Sequence, residues 1–181
     1  MKNRRSIRLA EYDYSWPGAY FLTISTLGHR PMFGKIRGEE VELSRQGKIA
    51  EQCWHDIPKH LATVEIDAFI VMPNHVHGIL WITESRPRSI AVGAQHAAPV
   101  QPKRPRVDPG TLGAVVRSYK SAVSRAIHQL PANPNLGVWH RNYYERVIRD
   151  DRELESIRTY IVHNALKDCA DLKFQEQMET L

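Results

Sequence analysis

The chain has 181 residues, of which 42% are hydrophobic and 25% charged, enough for one ordinary core with embellishments. Its 25 Lys and Arg against 20 Asp and Glu leave a net charge of +5, which favours a polyanionic partner. Cys53 and Cys169 stand far apart and outside any C-x-x-C context, which argues against a disulfide framework or a zinc ribbon, and no apolar run approaches the roughly 20 residues needed to span a bilayer.

The basic start, Met1 to Arg8, is followed by Glu11 and Asp13 rather than by an apolar segment, so it does not read as a signal peptide. A soluble, cytoplasmic protein without a membrane partner is expected. After an aromatic turn region (Tyr12, Tyr14, Trp16, Pro17, Gly18), the run Ala19 to Thr26 is rich in β-branched and aromatic residues and predicts a first strand. Ser44 is a candidate N-cap for a helix with an apolar stripe of Ile49, Ala50, Cys53, Trp54 and Ile57, ended by Pro58.

Thr63 to Met72 predicts a second strand, turning at Pro73-Asn74 into a third, Val76 to Thr83. So short a turn makes the pair an antiparallel hairpin. Side chains alternate along a strand, so His75 and His77 share a face with Ile79 and Trp81, and their two imidazoles can converge on one ion at the mouth of an apolar interior. Glu65, Asp67, Phe69 and Val71 are expected to share one face of the second strand, where either carboxylate could join the site.

From about 84 to 108 the pattern disappears into a Pro- and Arg-rich stretch containing Lys103, Arg104 and Arg106. Such a segment cannot bury a core and reads as a mobile insertion in an otherwise single domain spanning 1–181. Asp108-Pro109 then predicts a helix start, and Leu112, Val115, Val116, Tyr119, Ala122, Val123, Ala126, Ile127 and Leu130 follow at helical spacing until Pro131. Tyr119 lies on this stripe beside Arg117 and Lys120, and the stripe is expected to pack on the sheet face carrying His75 and His77. Val138 to Ile148 predicts a fourth strand, and Asp150 or Asp151 caps a closing helix running through Leu154, Ile157, Tyr160, Ile161 and Ala165. The order implies an α+β, ferredoxin-like split βαβ fold: a four-stranded antiparallel sheet with two helices on one face, plus a C-terminal helix.

Neutral imidazoles suit a divalent metal with open positions, which would polarise a phosphate and allow a tyrosine to attack it. The stretch Met72-Pro73-Asn74-His75-Val76-His77-Gly78, followed by Tyr119 on a basic helix, resembles the HUH single-tyrosine transposases, in particular the REP-associated tyrosine transposases. The segments Tyr12 to Phe21, Arg117 to Ala122 and Trp139 to Glu145 carry the same resemblance.

The resemblance implies a Mg- or Mn-dependent endonuclease and strand transferase that nicks single-stranded DNA near a hairpin, through a 5′-phosphotyrosine intermediate. His75 and His77 match its metal pair and Tyr119 its nucleophile. Related insertion-sequence transposases carry a glutamine four residues after the tyrosine as a third ligand; here that position is Val123, which leaves Glu65 or Asp67 as substitutes. Arg117, Lys120, Arg125 and Arg141, with Lys103, Arg104 and Arg106, are candidate phosphate contacts, and Trp139 and Tyr143 candidate base-stacking platforms. A monomer or homodimer is expected. The competing reading is a domesticated hairpin DNA- or RNA-binding protein that does not cut.

Overall fold

The structure, a computed structural model, describes residues 17–37, 40–83, 111–131 and 136–164. The insertion at 84–108, with Lys103, Arg104 and Arg106, lies outside the described residues, as do Asp108 and Pro109.

Four strands form the central antiparallel sheet: β1 (Gly18–Ser25), β4 (Val64–Val71), β5 (His75–Ile82) and β6 (Tyr144–Ile148), in the order β4-β5-β1-β6. A separate hairpin, β2 (Gly34–Arg37) and β3 (Glu40–Leu43), follows β1. That hairpin is not anticipated from the sequence, because two four-residue runs with only alternate partly buried positions give little period-2 signal.

Helix α1 (Arg45–His55) starts where expected, with the Ser44 hydroxyl accepting from the Gly47 N–H. Pro58 does not end the helical path but sits in the first turn of a short second helix, α2 (Ile57–His60), where its missing N–H costs nothing. Helix α3 (Leu112–His128) is capped by Thr111, whose side chain accepts from the Ala114 N–H. Asp150 caps α4 (Asp151–Val162) by accepting from Glu153 N–H, and Glu153 reaches back to the Arg149 N–H in a variant of the capping box. The fourth strand is shorter than predicted: Trp139 forms only an isolated bridge with Thr26, and regular pairing begins at Tyr144.

Both faces of the sheet are covered. Tyr20, Leu22 and Ile24 of β1 and Val76, Leu80 and Ile82 of β5 pack against Ala50 and Trp54 of α1 and the stripe of α3. Ala19, Phe21, Ile79 and Trp81 face the other way, against Leu154, Ile157 and Ile161 of α4. The expectation that α3 covers the histidine face is therefore corrected. His75 and His77 have the parity of Ile79, so their face belongs to α4. The alternation expected along β4 also fails, because one extra residue between Ile66 and Phe69 makes a bulge. Phe69 and Val71 consequently turn to the α1/α3 side, while Asp67 faces α4.

Gly78 shows how closely the layers meet. A Cβ there would lie 2.3 Å from Trp54 Cζ2, and Trp54 is itself fully buried and stacked 5.2 Å from Phe69. Gly78→Ala is thus expected to destabilise the fold by about 1 to 3 kcal/mol, read as a lower midpoint in urea, with partial recovery in Trp54→Leu, which opens the space.

Candidate active site

The Pro73-Asn74 turn is held from two sides: Thr26 N–H and Oγ1 both donate to Asn74 O (2.8 and 2.9 Å), and Phe33 N–H donates to Pro73 O (2.8 Å). Leaving this turn, β5 enters the sheet with His75 opposite Ser25 and His77 opposite Thr23. Both imidazoles are buried, at 8% and 2% exposure, and their Nε2 atoms face each other at 3.0 Å. His75 Nδ1 lies 2.6 Å from the Asn74 side-chain oxygen, and because an amide oxygen only accepts, Nδ1 is the donor of that bond. His77 Nδ1 is held by Thr23 Oγ1 at 2.9 Å, and its ring stacks on Phe21 at 5.4 Å.

The tyrosine that meets this pair is Tyr160, not Tyr119. Tyr160 sits on α4 with its hydroxyl 3.3 Å from His77 Nε2 and its ring edge-on to both His77 (5.3 Å) and Phe21 (6.2 Å). Tyr119 belongs to the opposite layer. Its hydroxyl donates to Ala50 O at 3.1 Å, its ring packs against Trp54 and Trp139, and it is 2% exposed. Burial pushes its phenol well above the usual value, with Cys53 adding to the effect, so the oxyanion is disfavoured there. An amphipathic stripe has to go into a core, and this one goes into the core that α1 shares.

Four residues after Tyr160 comes Asn164, about one helical turn on, fully buried and with neither amide atom hydrogen-bonded among the described residues. An orphaned buried amide is costly unless something completes it. This spacing was readable in the sequence: a carboxamide follows Tyr160 at the position where Val123 follows Tyr119.

The two substitute ligands are not at the site. Glu65 is exposed and pairs across from Trp81, four residues along β5 from His77. Asp67 is committed to α4: Arg158 donates to it from Nε (3.0 Å) and Nη2 (2.7 Å), and Trp81 Nε1 adds a third bond at 3.0 Å. Arg158 foremost, with help from Trp81 and the Ala68 N–H, outweighs the effect of burial and lowers the Asp67 carboxyl to about 2.

Because the folded value lies below the unfolded one, the stabilisation is complete above about pH 4 and lost as pH falls through about 2. Asp67→Asn is expected to remove this acid-limb dependence and to loosen the end of α4 that carries Tyr160, measurable as a flatter stability profile between pH 4 and pH 2.

Among the described residues no group of three His, Cys, Asp or Glu side chains could hold a metal. The two histidines nevertheless present a donor pair that suits one. Each Nδ1 is anchored by an oxygen, the second-sphere arrangement that orients Nε2 in histidines that hold a cation. The two Nε2 atoms, 3.0 Å apart, are the pair that would hold a divalent ion.

The proposed DNA contacts divide. Arg117 and Arg125 are exposed on α3, behind the sheet from the histidines, and Arg141 is exposed on the segment before β6. Lys120 is turned inward: its Nζ donates to His140 O and Asn142 O (both 3.0 Å), and burial pushes its pKa down to about 8. Trp139 and Tyr143 are not open platforms. Trp139 packs on Phe33 at 5.1 Å and donates from Nε1 to Lys120 O at 3.1 Å, while Tyr143 lies beneath Lys120 at 5.5 Å and against the core.

The sheet order, the two helices on one face and a closing helix on the other define an α+β fold of ferredoxin-like type. It is the fold of a solved REP-associated tyrosine transposase bound to a REP hairpin, with a TM-score of 0.60 over 92% of this chain and 75% of that one, at 16% identity. By sequence the chain belongs to one family with an uncharacterized protein of Haemophilus influenzae, 36% identical over 164 residues that span 91% of this chain and 89% of that protein. No family model matches the chain. Among the described residues no helix is long and apolar enough to cross a membrane.

Proposed function

We propose that this chain is a divalent-metal-dependent enzyme that nicks single-stranded DNA next to a hairpin and transfers the strand, with Tyr160 as nucleophile and His75, His77 and Asn164 as metal ligands. The observation that carries the reading is the Tyr160 hydroxyl at 3.3 Å from the Nε2 of one of two convergent histidines. The fold supports it, since the REP-associated transposase that shares it is bound to a REP hairpin. The net charge of +5 fits a phosphate backbone.

When bound, Mg²⁺ or Mn²⁺ would draw charge from a non-bridging phosphate oxygen. The chain's own residues do the rest. Thr23 and Asn74 fix the imidazole orientations, Phe21 holds the His77 ring, and the Asp67–Arg158 pair docks α4 so that Tyr160 meets the phosphate at a set distance. The phenolic oxygen bonds to phosphorus as the bond from phosphorus to the 3′ oxygen breaks. The phenol gives up its proton, the departing oxygen takes one up as a 3′-hydroxyl, and the 5′ end stays on the protein. Attack by another 3′-hydroxyl reverses the step and rejoins strands.

The test is incubation of the full-length chain with hairpin DNA bearing single-stranded flanks, with Mn²⁺ or with EDTA. A denaturant-resistant adduct is expected only with the metal. Hairpin binding without adduct under every metal condition would instead make the chain a hairpin-binding protein that does not cut.

A further inference from the structure

Beside the histidine end of the sheet stands a rim of which only Arg141 has been given a role so far, as a candidate phosphate contact. It has two walls. One is the turn after β1, a single 3₁₀ turn over Leu27–His29 in which Gly28 and His29 both take left-handed φ values, 64° and 52°. Among the described residues His29 is the one non-glycine with such a backbone, and strain of this kind persists where the surrounding structure enforces it. The other wall is the strap from Val138 to Asn142. The walls are tied together by Leu27 N–H donating to Val138 O and His140 N–H donating to Ser25 O, each at 2.9 Å. Lys120 fastens the strap from beneath through its bonds to His140 O and Asn142 O.

The rim therefore has a fixed place. Ser25, which holds His140, is the register partner of His75. On its outer side His29, Arg30 and Arg141 are exposed, the His29 and His140 rings lie near parallel at 6.3 Å, and Leu27 is 40% exposed. Arg141 has no carboxylate partner among the described residues. Cations for phosphates, flat rings and an apolar side chain for bases are the combination by which single strands are held without base pairing. The aromatic residues of this segment, Trp139 and Tyr143, pack on the core, which leaves the paired His29 and His140 imidazoles as the flat rings of the rim.

We propose that this rim, Leu27, His29 and Arg30 facing His140 and Arg141, binds the unpaired DNA flank and leads it to the His75–His77 centre. The proposal rests on the nicking reading above and adds where the single strand runs. The α3 surface with Arg117 and Arg125 lies behind the sheet and is not part of this path.

The test compares full-length Tyr160→Phe protein, which cannot trap the strand, on one hairpin with a single-stranded extension and on the same hairpin blunt-ended. Tighter binding of the extended hairpin is expected. Adding Arg30→Gln and Arg141→Gln should lower affinity for the extended form by about tenfold and reduce its salt slope by about 1.4, two contacts at about 0.7 each, with little effect on the blunt form. Lys48→Ala, an exposed cation of α1 on the other layer, should change neither. If the double glutamine variant, checked for an unaltered melting temperature, kept both the preference and the slope, the rim would not be the binding surface. Wild-type protein that forms the adduct but does not favour the extension would overturn the rim alone. Protein that forms no adduct and binds neither hairpin would overturn the rim and the nicking reading together.

Discussion

Tyr160→Phe is expected to abolish the covalent protein–DNA adduct, and Tyr119→Phe to leave it intact. The difference follows from what each phenol touches. Removing the Tyr160 oxygen takes away the hydroxyl that lies 3.3 Å from His77 Nε2 while leaving a ring that still packs edge-on against Phe21, so the fold and hairpin binding should persist without the proposed nucleophile. Removing the Tyr119 oxygen breaks a buried bond to Ala50 O, worth about 1 kcal/mol, in a layer separated from the histidines by the sheet. Its signature is a small loss of stability with the adduct unchanged. An adduct that survived Tyr160→Phe and disappeared in Tyr119→Phe would return the nucleophile to α3 and demand a large rearrangement of the core.

The element that misleads a reader of the sequence is β1. All six of its central residues are buried, so both faces read as core and the alternation does not say which helix covers which. What remains legible is parity: His75, His77 and Ile79 share a face, and they do. The connection rule adds more, because crossovers between parallel strands of one sheet are right-handed, which places α1 and α3 on one face and leaves the other to the closing helix. Combined with the carboxamide four residues after Tyr160, that reasoning points to Tyr160 as the tyrosine on the histidine face. The β4 bulge was not legible, since Glu65, Asp67, Phe69 and Val71 keep a plausible alternation on paper. Nor was the inward turn of Lys120, which depends on where the strap from Val138 to Asn142 comes to rest.

The proposed metal ligands should separate into two kinds of residue when they are removed. His77→Ala deletes one Nε2 and also the ring that stacks on Phe21 and bonds Thr23. It should abolish the adduct and cost the fold about 1 to 2 kcal/mol, because a buried polar partner and a packed ring are lost together. His75→Ala should abolish the adduct at lower cost, its ring lying nearer the surface. Asn164→Ala is the more telling change. Its amide is buried with neither atom hydrogen-bonded among the described residues, so removing it relieves an unmet polar group and stability should stay level or rise. Mn²⁺ affinity measured by calorimetry should nevertheless fall about 10- to 100-fold. Loss of stability with undiminished Mn²⁺ affinity would make Asn164 a structural residue and leave the ion with two histidines alone.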